Sequence, residues 1–156
     1  VMAMARTGYS QQIEGEDIAR AKANEVDISP KHAFEIARFI KLMKTDEAIE
    51  YLTRVAALEK AIPLRTYHKK VPHRRGMAGW HAGRYPQKAA KVYIKLLNAA
   101  KKNAEYIGLD AANTRIVHVQ ANRGRRHEAY FPRAMGRATP KNRETVNLEV
   151  IVKEVS

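Results

Sequence analysis

The amino-acid sequence predicts an α+β domain, on three observations. Three stretches between residues 30 and 107 repeat apolar side chains at helical spacing. Two stretches toward the C-terminus, 113–121 and 146–153, alternate apolar and polar residues with period two, as strands with one buried face do. Between those strands lie about 22 residues in which the alternation lapses and Arg and Gly take over, the composition of a hairpin's outer part. The length, 156 residues, suits a single domain over 1–156 with its own core.

The elements follow in order. Met2 and Met4 are both candidate initiators, and residues 5–20, polar and mixed, predict an irregular N-terminal arm. Residues 21–28, with Ala21, Ala23 and Val26, predict a short strand. Ser29-Pro30 opens a helix: Ser caps free amide groups and Pro fits the first turn. Ala33, Ile36, Ala37 and Ile40 then carry that helix from about 30 to 43. Thr45 is read as a second N-cap, followed by Asp46 and Glu47 at the positive end of the helix. Ala48, Leu52, Val55 and Glu59 mark one side of helix two, with Ile49 and Ala56 widening the stripe. It is expected to end near 60, since Pro63 cannot continue it. Residues 61–84 have no period and are broken by Pro63, Pro72, Gly76, Gly79 and Gly83. An ordered loop of that length is uncommon unless it has a function. Pro86 opens helix three, whose apolar face is Ala89, Tyr93, Leu96, Leu97, Ala100, Ala104 and Ile107, and Gly108 stops it. Val117, Val119 and Ala121 then alternate with His118 and Gln120. At the end of the chain Val146, Leu148, Val150 and Val152 alternate with Asn147, Glu149, Ile151 and Lys153. If these two strands pair, about eleven residues per side at roughly 3.3 Å each give an arm reaching about 35 Å. An isolated hairpin is marginal in water, so a partner is expected to order the arm.

Charge locates the function. Six of the 29 Lys and Arg residues fall in 61–84 (Arg65, Lys69, Lys70, Arg74, Arg75 and Arg84), with no acid. Seven fall in 122–143 (Arg123, Arg125, Arg126, Arg133, Arg137, Lys141 and Arg143), against Glu128 alone. The remaining 110 residues balance 16 bases with 15 acids. A near-neutral body with two basic protrusions points to a polyanion, foremost a nucleic acid. Arg forks match phosphates and stack on bases, Gly124 and Gly136 permit close approach, and Tyr130 and Phe131 interleave with the charges. The competing reading of 122–143 is a solvated basic loop; its one-sided charge and its length count against that. Trp80 is read either as a base-stacking group or as packing over helix three.

Other chemistries find little support. His68, His73 and His81 are close in sequence, but no Cys and no acid accompany them, and the surrounding positive charge repels a cation; no metal is expected. The absence of cysteine excludes disulfides and thiolate ligands and suits a reducing cytoplasm. No apolar run reaches the roughly 18 residues needed to span a bilayer, so no membrane partner is expected. Glu14, Glu16 and Asp17 are read as a solvated tail. No GxxxxGKS/T loop, nucleophile elbow or HExxH helix occurs. No catalytic residue, cofactor or small-molecule substrate is therefore assigned.

The sequence also resembles a known family. Ser29-Pro30-Lys31 at the first helix, Arg133-Ala134-Met135-Gly136-Arg137-Ala138 at the outer end of the arm and the strand Val146–Val152 are similar to the universal ribosomal protein twenty-two family of the large subunit. Gly83-Arg84-Tyr85-Pro86-Gln87-Lys88 and Asn98–Asp110 resemble its archaeal and eukaryotic branch, whose eukaryotic member is called protein seventeen. The likeness runs from about residue 10 to 155. It implies three helices on a three-stranded antiparallel sheet with one greatly extended hairpin. It implies a cytoplasmic, non-enzymatic constituent of the large ribosomal subunit that binds ribosomal RNA (rRNA), aids assembly and meets other large-subunit proteins. The hairpin tip would line the nascent-polypeptide exit tunnel, with Arg133, Met135, Gly136 and Arg137 nearest its wall. Arg123, Arg125, Arg126, Lys141 and Arg143 would flank the stem. Arg65, Lys69, Lys70, Arg74, Arg75, Trp80, Arg84 and Tyr130 would add rRNA contacts. Two departures stand out: Met135 replaces the Arg or His that relatives often carry, and 61–84 has no counterpart in the shorter bacterial proteins.

Two rivals come from other classes. A helix-turn-helix DNA-binding regulator would use helices one and two, but Glu35, Asp46, Glu47, Glu50 and Glu59 oppose entry into a groove. An RNA-processing enzyme would need a Ser or Thr with a positioned His and acid, and no such set stands out.

Overall fold

The computed structural model describes residues 8–77 and 79–155; the candidate initiators Met2 and Met4 lie outside them. Along the chain run β1 (Ile18–Val26), α1 (Pro30–Ile40), α2 (Thr45–Ala56), β2 (Ile62–Pro63), β3 (Gly83–Arg84) and α3 (Gln87–Ile107). Then follow β4 (Thr114–His127), β5 (Tyr130–Pro132), β6 (Ala138–Pro140) and β7 (Arg143–Glu154). The main sheet is antiparallel in the order β1-β7-β4, with the helices against one face. This is the expected α+β architecture.

The core follows the predicted periodicities. Ala33, Ile36, Ala37 and Ile40 of α1, Ala48, Leu52 and Val55 of α2, and Ala89, Tyr93, Leu96, Leu97, Ala100 and Ala104 of α3 are all buried. They meet Val146, Leu148, Val150 and Val152 of β7, each fully buried. Burial of so many Leu, Ile and Val side chains, at roughly 25 cal/mol per Å² of apolar surface, is the main source of stability. The buried Tyr93 hydroxyl donates to the Ala33 carbonyl at 2.8 Å, which satisfies the one polar atom that α3 brings into the core. Ile107 departs from the expected face and is 54% exposed. Gly108, at φ 93°, then terminates α3, and Leu109 N–H returns to the Ala104 carbonyl at 3.0 Å.

Several boundaries differ from the sequence reading, each for a local reason. Strand β1 spans 18–26 rather than 21–28, since Ile18 and Ala19 already pair with Lys153 and Val152. Helix α1 stops at Ile40, because the chain next pairs with β4. Leu42, at φ 69°, donates to the Ile116 carbonyl, and Ile116 N–H donates to that of Met43, both at 3.0 Å. Ser29 holds the N-cap position without a side-chain cap hydrogen bond, so Pro30 alone pre-organises the start. Thr45 is the first residue of α2, and Lys44 is the N-cap. The Thr45 hydroxyl instead donates to the Thr114 carbonyl at 3.1 Å, tying α2 to the start of β4. Helix α2 ends at Ala56, and Leu58 at φ 67° turns the chain away well before Pro63.

Strand β4 corrects the phase of the alternation. Ile116 pairs with Val152 and His118 with Ile151, so Val117 is the extra residue of a β-bulge. Ile116 and Val119 face the core, while His118 is buried on the opposite face. That second face is covered too. The Ser10 N–H donates to Glu149 at 3.1 Å, Lys22 donates to the Gly8 carbonyl, and Tyr9 lies near Arg20 and Lys22. Residues 8–13 thus strap the sheet, which explains why Glu149 and Ile151 are buried.

Candidate nucleic-acid interface

The arm grows from the β4–β7 ladder. Arg126 pairs with Glu144 and His127 with Arg143; the Ala129–Lys141 hydrogen bonds and the short β5–β6 ladder carry the pairing outward. Every residue from 125 to 143 is exposed. At the tip Met135 (φ 59°) and Gly136 (φ 68°) are both left-handed, as the central pair of a type I′ turn must be. Arg137 N–H closes the turn on the Ala134 carbonyl at 3.3 Å, and Arg133 N–H donates to the Arg137 carbonyl at 2.8 Å. Met135 is 93% exposed and Tyr130 68%. Phe131 has the Arg133 guanidinium 5.7 Å and the Lys141 ammonium 4.7 Å from its ring centre.

A second bulge sets the root of the arm. Arg123 pairs with Val146 and Arg126 with Glu144, so Gly124 and Arg125 together oppose Thr145 alone. The Thr145 hydroxyl donates to the Arg125 carbonyl at 2.8 Å, and a Cβ on residue 124 would stand 2.6 Å from that hydroxyl oxygen. The same level of β7 also holds β1, where Asn147 Oδ1 accepts from Glu25 N–H at 2.8 Å.

Charge is unevenly satisfied along the arm. The Asp27 carboxylate accepts from the Arg143 guanidinium at 2.8 Å and from Lys88 Nζ at 2.7 Å, which brings the root beside the first turn of α3. The hydrogen bonds from Arg143 and Lys88 hold the Asp27 carboxyl well below the usual carboxylate range. Arg123 lies 3.7 Å from Glu144. Among the described residues, Arg125, Arg126, Arg133, Arg137 and Lys141 form no ion pair.

The insert 61–84 has more structure than its lack of period suggests. Strands β2 and β3 pin its ends, His73 bridges Ala82, and Arg74 N–H donates to the His81 carbonyl at 2.8 Å. Ala61, Ile62, Leu64 and Ala82 are buried. Its main anchor is a residue that sequence reasoning took for a surface acid. Glu35 is 1% exposed, and its carboxylate accepts N–H bonds from Arg65 (3.1 Å), Thr66 (2.7 Å) and Tyr67 (2.9 Å). The only cue in the sequence is an acid flanked by the apolar run of α1. The acceptor's partners are backbone groups and carry no side-chain signature. Arg65, Lys69, Lys70, Arg74, Arg75 and Arg84 are all exposed around this anchored loop. Trp80 packs within the insert rather than over α3. Its indole N–H donates to the Leu64 carbonyl at 2.7 Å, His81 stacks on it at 4.9 Å, and the Arg65 guanidinium lies 5.8 Å from its ring.

The alternatives can be tested against the same geometry. The exposed positions Asp46, Glu47 and Glu50 make α2 acidic, the wrong sign for a helix entering a groove. One Ser–His–acid cluster does form, from Ser10, His118 and Glu149. Ser10 Oγ lies 3.2 Å and Glu149 Oε1 3.1 Å from the same nitrogen, His118 Nε2. An acid that competes with the hydroxyl for one nitrogen cannot orient the imidazole as a general base, which needs the acid on the other nitrogen. Burial pushes the Glu149 pKa up, yet hydrogen bonds from Ser10 and His118 outweigh it and leave it lowered, as in a structural anchor. Among the described residues no group of three or more His, Cys, Asp or Glu is placed to hold a metal ion, and no helix is long and apolar enough to cross a membrane.

Comparison with known proteins adds an independent line. Residues 21–153 match the family described as ribosomal protein L22p/L17e. A protein of Methanoculleus marisnigri named large ribosomal subunit protein uL22 is 64% identical over 153 residues, covering 98% of this chain and all of the relative. Proteins of the same name from Methanoregula boonei and Methanococcus vannielii are 58% and 46% identical, each over at least 97% of this chain and 99% of the relative.

Proposed function

The chain belongs to the ribosomal protein L22p/L17e family, whose members are structural constituents of the ribosome and not enzymes, and from that premise we propose that it binds large-subunit rRNA through its insert and its arm. One observation carries the reading: all thirteen bases of the two blocks are exposed, and those of the outer arm have no acid partner among the described residues. Phosphates would supply the missing anions, and release of their counterions would drive binding. In this reading Arg125, Arg126, Arg133, Arg137 and Lys141 run along the RNA, Tyr130 stacks on bases, and Arg123 and Arg143 lie at the root. Arg65, Lys69, Lys70, Arg74, Arg75, Arg84 and Trp80 form the second contact. The protein aids assembly of the subunit in the cytoplasm beside other large-subunit proteins. The tip residues Arg133, Met135, Gly136 and Arg137 line the exit tunnel, where they meet nascent polypeptide.

The test is co-sedimentation of the full chain with large subunits through a moderate salt wash, beside RNA affinity measured across salt concentrations. Affinity should fall steeply with salt, with a log–log slope of magnitude about 0.7–0.9 per phosphate neutralised, the range spanned by single strands and B-form duplex. Arg133→Glu/Arg137→Glu should impair subunit incorporation while leaving the helical circular dichroism of the isolated chain unchanged, since both side chains lie outside the core. Affinity indifferent to salt, or loss of helicity in the double variant, would refute the reading.

A further inference from the structure

A cavity of about 610 Å³ opens between the first turn of α1 and the insert. Three cations line it: Lys31 of α1, and Lys69 and Arg84 from two well-separated positions of the insert. Ser29, His32, Leu64, Thr66, Tyr67 and Val71 make up the rest of the wall, and no carboxylate belongs to it. Lys31 and His32 belong to neither of the two basic blocks.

We propose that this cavity binds a single unpaired nucleotide of RNA, its phosphate held by Lys31, Lys69 and Arg84 and its base stacked on Tyr67. The inference rests on the reading of the chain as an RNA-binding protein and says which form of RNA the insert takes. The volume decides against a lone phosphate, because it falls in the range of roughly 300–1,000 Å³ typical of sites for molecules the size of a nucleotide. The aromatic wall decides against a duplex. A paired base is already stacked on its neighbours, whereas an unpaired one can turn its face to a side-chain ring. The ring is held in advance: Glu35 fixes the Tyr67 backbone, Phe34 meets the ring edge-on at 5.9 Å, and the Lys31 ammonium lies 5.6 Å from its centre. A ring already in place loses little freedom on stacking. The cations converge in the same way. Burial lowers the His32 pKa, and the nearby Arg84 guanidinium lowers it further. Leu64 and the half-buried Val71 give the cavity an apolar lining that a phosphate alone would not use.

The experiment compares the full-length protein with its Tyr67→Ala, Tyr67→Phe and Lys31→Ala variants. The probes are a short single-stranded oligouridylate, a thiouridine-substituted version for photocrosslinking, and an RNA duplex with the same number of phosphates. Tyr67→Ala should weaken oligouridylate binding roughly tenfold, the loss of one stacked base, and leave duplex binding unchanged. Tyr67→Phe keeps the ring and should bind like the parent. Lys31→Ala, which removes one cation from the wall, should lower the salt slope by about 0.7. Crosslinks should map to Tyr67 or its neighbours. Normal oligouridylate binding by Tyr67→Ala, with crosslinks confined to 122–143, would overturn the nucleotide site and leave RNA binding by the arm intact. Failure of the parent protein to bind either RNA would overturn the functional reading as well.

Discussion

Glu35→Gln asks whether one buried carboxylate organises the whole insert. Oε1 accepts from Thr66 and Tyr67, and Oε2 accepts from Arg65. Glutamine keeps one oxygen, so two of the three bonds persist, but as neutral rather than charge-assisted contacts, each weaker by about 1 kcal/mol. Its amide nitrogen replaces the other oxygen and presents N–H to the N–H of Arg65, leaving a donor unpaired at a cost of about 1–3 kcal/mol. The sum is about 3–5 kcal/mol, a large part of the roughly 5–15 kcal/mol by which a domain of this kind is stable. Two outcomes are consistent with the geometry. If the insert stays docked, the thermal midpoint falls by roughly 6–20 °C, at about 2–4 °C per kcal/mol for a chain of this length. If docking is worth less than the penalty, the insert releases alone. The global midpoint then moves little, but the amides of residues 65–67 lose about a hundredfold of their protection against hydrogen exchange. Calorimetry and residue-resolved exchange separate the two. An unchanged midpoint together with unchanged exchange at residues 65–67 would show that the carboxylate does not hold the insert.

Other consequences can be measured directly. Gly124→Ala puts a methyl 2.6 Å from the Thr145 hydroxyl oxygen and 3.3 Å from the Thr145 backbone carbon, so the root must open at a cost of about 1–3 kcal/mol. Faster amide exchange at Arg126 and Thr145 would report the opening, and parental exchange there would count against it. Asp27, whose pKa is lower folded than unfolded, stabilises the root fully above the unfolded value of about 3.9, and that contribution is lost as pH falls through the lower folded value. An NMR titration of its carboxyl should therefore give a midpoint below the ordinary range, which Arg143→Ala should raise; a midpoint indifferent to Arg143→Ala would contradict the pairing. Met135→Asn replaces a left-handed methionine with a residue that tolerates that conformation and creates the Asn-Gly pair preferred in type I′ turns. The Arg137 amide should then exchange several-fold more slowly, and no slowing would argue against the turn.

Sequence periodicity located the apolar faces of α1 and α2, nearly all of that of α3, and the core face of β7, because regular packing imprints its own spacing on the chain. It failed where the structure breaks its period or covers a polar face. Val117 looks like a core residue only if β4 is unbroken; the bulge hands its place to Ile116. His118 and Glu149 occupy positions that alternation assigns to solvent. They are buried because residues 8–13, which show no period, lie across them. Glu35 was legible as an acid and not as an anchor, since its ligands are backbone amides some thirty residues away. The two basic blocks were legible because charge segregation needs no register to be seen.

The distribution of acids along the arm carries a last step. The root is held by the protein itself: Asp27 binds Arg143, Glu144 lies 3.7 Å from Arg123, and Thr145 ties down the bulge at Arg125. Beyond it, among the described residues, the body supplies no acid, and Arg126, Arg133, Arg137 and Lys141 project from a ladder only two chains wide. Like charges on a narrow hairpin repel, and a two-stranded ladder has little apolar area to oppose that repulsion. The direction in which the arm leaves the domain is therefore encoded in Gly124, Thr145 and Asp27, whereas on the proposed function its outer half would draw its order from the RNA it meets. Such a division suits a chain that must be aimed before binding and can settle only afterwards. It places the energetic cost of ordering at the tip, where the phosphate contacts of the proposed function would offset it.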